Sequence, residues 1–361
     1  MARVRLRDLG ISIGRFDPGP LNAITDVPGV LVGHATLVHD SPSVARTGVT
    51  AILPRAGIQA DYAFAGFHSF NGYGEMTGVH WIAESGLLTS PILLTNTNQV
   101  GLASQTLVEY GARKYGGAAF GLPVVGETYD GWLSDIDSFP LQKEHVLAAL
   151  ESAATGPVAE GNVGGGTGMI CYDFKGGLGT SSRRFQTEAG DFVVGALVQA
   201  NHGQRVTLRV DGVPVGREIG PETVPAPWGT APFGGSILII LATDAPLLPL
   251  QCRRVAQRAS VGLARTGGIG HNGSGDLFLA FSTGNHYPHK PEARLNVVML
   301  PHTHLDPLFE AAVEAVEEGI LNALTAAESM DGRKGRRAEA LPLDRLVQVM
   351  ARYRPTLPGR V

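Results

Sequence analysis

APFGGSILIILATDAP, residues 231–246, decides how the rest of the chain is read. Its run from Ile237 to Ala242 is wholly apolar and is bounded by turn-forming residues. Such a run reads as a short strand buried on both faces. What needs explaining is the residue at its head. Ser236 stands behind Gly234 and Gly235, after a lead-in, PETVPAPWGTAPFGG (221–235), that holds four prolines and three glycines and has no periodicity. That lead-in is expected to be a mobile linker. A serine on a sharp turn before a strand can serve as a nucleophile, although the G-x-S-x-G elbow is absent because Ile-Leu-Ile follows Ser236. Another route is open. Were the Gly235–Ser236 bond cut, Ser236 would carry a free α-amine with an ordinary pKa of about 8, able to act as base for its own hydroxyl. On spacing alone the plainer reading, a surface loop entering a core strand, is favoured.

Working outward, GVLVGHATL (29–37), GVTAILP (48–54) and LPVVGET (122–128) read as short strands, and SPILLTNTNQ (90–99) as a strand running into a helix. LQKEHVLAALESA (141–153) reads as helical. GMICYDFKGG, FVVGALVQANHG (192–203) and RVTLRVDGVPVG read as strands, the last with a hairpin turn at Asp211-Gly212. After the Ile237–Ala242 strand come a helix over 247–265, a strand in DLFLAFSTGN, another in RLNVVML (294–300), a long amphipathic helix over 304–327 and a final short helix. Strands and helices do not alternate strictly. A layered α/β protein with helices outside the sheets is expected, rather than a doubly wound sheet.

Composition narrows the function. Of 361 residues 17% are charged, below the usual ~25%, which points to much buried surface or to oligomer contacts. Net charge is −4 and no basic stripe stands out, which argues against nucleic acid as a partner. Arg333-Lys334-Gly335-Arg336-Arg337 reads as a solvated loop. Two cysteines, Cys171 and Cys252, form neither a disulfide framework nor a cysteine zinc site. The N-terminus has basic residues but no signal-peptide apolar core, and no run reaches membrane-spanning length, so a cytoplasmic, membrane-free protein is expected.

Three glycine-rich stretches carry candidate chemistry. EGNVGGGTG (160–168) matches neither the P-loop nor a dinucleotide fingerprint, but its backbone N–H groups could face an anion; tight turns explain it as well. GHNGSGDL (270–277) brings His271, Ser274 and Asp276 into one loop, and a hydroxyl and carboxylate two residues apart share a side if the chain is extended. A plain Asx or Ser turn is the alternative. Glu127, Tyr129 and Asn201 lie at strand ends, where polar groups face clefts, and a buried Asn201 could donate to an oxyanion. The histidine pairs His302/His304 and His286/His289 lack the partners of a metal site, so structural roles are expected and no metal or organic cofactor is invoked.

EGNVGGGTGM, KGGLGTSSR (175–183), the GGS junction, ATDAPLLPLQ (242–251) and HNGSGD together, with ITDVPGVLVGHAT (24–36), resemble the DmpA-type L-aminopeptidase D-amidase/D-esterase and β-peptidyl aminopeptidase family over nearly the whole chain. The resemblance implies a single αββα domain, 1–361, like that of N-terminal nucleophile hydrolases with different connectivity. It implies self-cleavage between Gly235 and Ser236 into fragments 1–235 and 236–361. Ser236 would then be the nucleophile, Ser274 and Asp276 its supporting hydroxyl and carboxylate, Asn201 the oxyanion donor, Tyr129 a residue lining the site, and Glu127 the carboxylate that holds a substrate's free amine. Asn162, Gly165 and Gly166 would line the same pocket. The position of Asp276 is Glu in some relatives. Short peptides, amides or esters are the implied substrates, and a tetramer of processed protomers the implied assembly. Two other readings stay open. Ornithine acetyltransferases also self-process but use threonine, and an unprocessed small-molecule binding protein would use the GGS segment merely as a turn.

Overall fold

The structure, a computed structural model, describes residues 2–115, 121–228 and 235–354. Four strands form one sheet in the order β1 (Leu31–His39), β2 (Ala45–Leu53), β5 (Ile92–Asn96) and β6 (Val124–Thr128). Six form another in the order β4 (Leu87–Leu88), β3 (Asp61–Gly72), β12 (Gly275–Pro288), β11 (Ser236–Thr243), β10 (Gly190–Asn201) and β9 (Gly177–Thr187). Two hairpins of two-residue strands complete the β structure, β7–β8 (Ile170–Cys171, Phe174–Lys175) and β13–β14 (Met330–Asp331, Arg337–Ala338).

Alternation along β11 explains the layers. Leu238, Ile240 and Ala242 point into an apolar core that also takes Ile52, Ile92, Leu94 and Val124 from the four-stranded sheet. Ile237, Ile239 and Leu241 point the other way, into a core shared with α5 (Pro249–Arg265) and α6 (Asp306–Ala326). A third core, with Val49, Ala51, Leu53, Leu93 and Val125, lies under α2 (Val100–Tyr115) and α3 (Lys143–Glu151). Both faces of a central strand are thus covered, which is why every position between Ser236 and Thr243 is apolar. The result is an α–β–β–α sandwich, as expected. Three further α-helices, α1 (Val79–Ser85), α4 (Val215–Glu218) and α7 (Leu343–Tyr353), complete the α-helices among the described residues.

Register places the chemistry. Ser236 pairs with Asn201 on one side, antiparallel, and with Gly275 on the other, parallel. α5 makes the crossover that a parallel pair requires. Pro249 opens that helix, and the Gln251 side-chain Oε1 accepts from the Leu248 N–H at 2.9 Å.

Three expectations are corrected. RVTLRVDGVPVG is not a pair of strands; it contains a short 3-10 turn at Arg205–Thr207, an isolated Val210–Val213 bridge around the expected turn, and α4. RLNVVML forms no strand: it has no ladder partner, and Asn285 holds the backbone of Val298 through two hydrogen bonds instead. β3, missing from the sequence reading, is a twelve-residue strand beside β12. Residues 229–234 of the expected linker lie outside the described residues.

Candidate active site

Ser236 is buried and sits where the central strand begins. The Gly275 N–H reaches two atoms there: the Gly235 carbonyl oxygen at 3.1 Å and the Ser236 hydroxyl at 3.4 Å. Residues 73–74 cross directly over this point. A Cβ on Gly275 would fall 2.6 Å from the Tyr73 carbonyl oxygen and 2.7 Å from the Gly74 Cα, so only glycine fits.

Next to Gly275, the Ser274 hydroxyl donates to Asp276 Oδ1 at 2.7 Å. Asp276 Oδ2 is buried and has no hydrogen-bond partner. Burial raises this carboxyl to about 6, against which the Ser274 hydrogen bond pulls only weakly. The strand start of β12 fixes both side chains, because the turn before it closes with the Ser274 N–H donating to the His271 carbonyl at 2.8 Å.

Across β11, Asn201 is locked in one orientation. The Ile170 N–H donates to its Oδ1 at 2.8 Å, and its Nδ2 donates to the Tyr129 carbonyl at 3.1 Å. A carbonyl and an N–H on opposite ends of the amide settle which end is nitrogen. The Tyr129 ring is partly exposed and lies over Gly131, where a Cβ would come within 2.3 Å of its hydroxyl. Glu127, on β6, is buried. The Glu75 N–H donates to its Oε1 at 3.0 Å and the Thr97 hydroxyl to its Oε2. Desolvation raises its pKa and the Glu75 carboxylate adds to the rise, while the two hydrogen bonds oppose it. Gly74 stands between the two halves of the site, its would-be Cβ 3.1 Å from Gly275 and 3.4 Å from Glu127 Oε1.

None of the hydrogen bonds among the described residues joins Asn162, Gly165 or Gly166 directly to Ser236, Asn201 or Asp276. The Asn162 amide bonds the Glu328 backbone on both sides, at 2.9 and 3.2 Å. The glycine run offers no open anion cradle at its head. Gly164 donates to Thr36, Gly165 to Thr50, and Gly166 to the Val163 carbonyl. Its glycines serve packing between the sheets: a Cβ on Gly165 would lie 2.0 Å from Gln199 Oε1, and one on Gly166 2.3 Å from the Leu178 nitrogen. The histidine pairs make local contacts: His286 with Asp61, His289 with Tyr62, His302 with Arg254, His304 with Glu188. No group of three or more metal-ligating side chains occurs among the described residues, and no helix there is long and apolar enough to cross a membrane.

Gly74, Glu75, Thr97 and the Gly275 N–H were not singled out by sequence reasoning. Gly275 lay inside a quoted motif, and its position between Ser274 and Asp276 was the available signal. The other three depend on β3 and on the turn after β5, whose apolar alternation was readable but whose approach to Ser236 was not.

Comparison with known proteins agrees with this arrangement. The profile of Peptidase family S58 matches residues 22–338. The β-peptidyl aminopeptidase BapA of Sphingosinicella microcystinivorans is 44% identical over 97% of this chain and 92% of its own. Among solved structures, a Burkholderia sp. β-aminopeptidase superposes with a TM-score of 0.92 at 50% identity, covering 98% of this chain and all of that one. The L-aminopeptidase D-Ala-esterase/amidase of Ochrobactrum anthropi, described as a prototype for the serine aminopeptidases and a new variant among the Ntn hydrolase fold, superposes with a TM-score of 0.91 at 45% identity over 97% of this chain and 98% of that one.

Proposed function

The chain belongs to peptidase family S58 and is a serine hydrolase of the N-terminal-nucleophile type; from that premise we propose that Ser236 first cuts its own chain and then removes N-terminal residues from short peptides, amides or esters. The observation that carries the reading is the shared Gly275 N–H, which touches both the carbonyl oxygen of the bond to be cut and the attacking hydroxyl.

In self-processing, Ser236 Oγ attacks the Gly235 carbonyl carbon and the Gly275 N–H receives the developing oxyanion. The peptide C–N bond breaks, the acyl group passes to Oγ, and the freed nitrogen takes up the proton as the α-amine. Water hydrolyses the ester. Fragments 1–235 and 236–361 result. In turnover, the α-amine of Ser236 takes the hydroxyl proton as Oγ attacks the substrate carbonyl. The second Asn201 N–H and the Gly275 N–H hold the oxyanion. The amine then gives its proton to the leaving nitrogen, and water deacylates the enzyme. Ionised Asp276, with Ser274, orients and stabilises the α-ammonium. Glu127 receives the free ammonium of the substrate, whose charge compensates a carboxylate that burial disfavours. Tyr129 lines the entrance.

Burial of both unpaired cysteines fits a reducing compartment, and we place the enzyme in the cytoplasm as a homotetramer of processed protomers. Hydrolysis of amino-acyl p-nitroanilides by the wild type, absent in Ser236→Ala, tests the function. An unprocessed wild-type chain that binds such compounds without cleaving them would favour the binding-protein reading.

A further inference from the structure

Lys175 lies on β8, wholly buried, and no salt bridge to it is found among the described residues. A buried ammonium without a counter-charge is costly, and burial pushes this amine down to about 7. Its Nζ donates to the Gly176 carbonyl at 2.8 Å and to the Gly166 carbonyl at 3.4 Å. It thereby ties the turn after β8 to the glycine run that packs between the sheets. Gly176 in turn donates to the Met169 carbonyl at 2.8 Å, and the next N–H along, that of Ile170, is the one that donates to Asn201 Oδ1. Met169 Sδ also takes the Thr128 hydroxyl, next to Tyr129, whose carbonyl holds the other end of the same amide. Two hydrogen-bonded arms therefore run from the β7–β8 hairpin to Asn201, and Lys175 closes the hairpin at its far side.

We infer that Lys175 is a positioning residue for the oxyanion site: its amine fixes the β7–β8 hairpin against Gly166, and the hairpin fixes Asn201 opposite Ser236. The inference rests on the reading of Asn201 as oxyanion donor. The carbonyls do the clamping work only with a donor between them, so an apolar side chain of the same length fills the space and loses the function. Oxyanion donors act over tenths of an ångström, and a loosened hairpin lowers transition-state stabilisation without altering how the ground-state substrate is held.

The test is a double-mutant cycle on amino-acyl p-nitroanilide hydrolysis with Lys175→Met, Asn201→Ala and the double variant. Lys175→Gln, which keeps an N–H donor, is made beside them. We expect Lys175→Met to lower kcat about 10-fold or more with KM within about 2-fold of wild type, Lys175→Gln to recover part of the loss, and Lys175→Met to add nothing in the Asn201→Ala background. Equal losses in both backgrounds overturn the inference, as does a wild-type kcat in a folded Lys175→Met. Failure of both Lys175 variants to fold also overturns it, since Lys175 would then serve the core. Wild-type activity in Asn201→Ala would instead sink the reading of Asn201 on which the inference stands.

Discussion

At the scale of single residues, the site is defined by groups that folding makes uncomfortable. Asp276 keeps one carboxylate oxygen buried and unpartnered, and its carboxyl titrates near 6 rather than at the usual ~3.9. The sign of the linkage follows. A carboxyl whose pKa is raised by folding binds its proton more tightly in the native state, so it favours the fold at low pH, and that advantage is lost as pH rises from about 4 through about 6. In the uncut Ser236→Ala background, Asp276→Asn should therefore raise the melting temperature at pH 8, with the difference shrinking as pH falls from 6 to 4; a difference independent of pH would show that the burial of this charge is not the cause. Activity runs the opposite way. If ionised Asp276 orients the Ser236 amine, kcat/KM has an acid limb that the Asn variant lacks, and in the processed enzyme the neighbouring ammonium moves that limb below pH 6. Asn201→Ala should lower kcat by about 10²–10³-fold, the usual effect of one lost oxyanion donor, while still allowing the protein to fold. Ser236, Ser274, Asp276, Asn201, Tyr129 and Glu127 could each be named from the sequence because they stand at the ends of recognisable strands or in quoted motifs. Asn162 and the glycines beside it make local contacts for a physical reason. Glycine density signals close backbone approach, and here the approaching partners are Gln199 and Leu178 rather than a ligand.

Elements were legible in proportion to how local their cause is. β11 could be read from six apolar residues, and α5 and α6 from period and end signals, because burial on both faces or one face writes itself into the local pattern. RLNVVML has the composition of a strand but finds no ladder, since its position in space and not its sequence decides pairing. β9 carries Arg183, a charged residue that strand patterns do not anticipate in a core. The structure explains that residue. Arg183 is wholly buried and reaches Glu318 at 2.6 Å and Glu314 at 3.2 Å, both on α6, while Arg7 bonds Glu318 from the other side. This bridges β9 to α6. Removing one partner of a buried pair leaves the other uncompensated, at a cost of about 3–5 kcal/mol; without Arg183, Glu318 keeps Arg7 but Glu314 loses its buried cation. Arg183→Met should lose stability of that size in denaturant titration, and Arg183→Met with Glu314→Gln should recover part of it; a fully additive double variant would show that the pairing contributes little.

For the molecule as a whole, the α–β–β–α order follows from three apolar cores separated by two sheets, and the reaction follows from where one strand begins. A serine at the head of a strand packed on both faces is held rigidly. That placement explains a hydroxyl at the first position of the central strand. The Gly235–Ser236 bond lies at the boundary, already in contact with the N–H of Gly275. The assembly of processed protomers is checked by native mass spectrometry, where a tetramer is expected and a monomer would contradict it. The most direct test of the account is the intact mass of the purified protein beside Ser236→Ala under denaturing conditions. The account predicts two wild-type fragments breaking between Gly235 and Ser236, and one unbroken chain for the variant. A single intact chain in both would contradict it, since Ser236 would then have no α-amine with which to act.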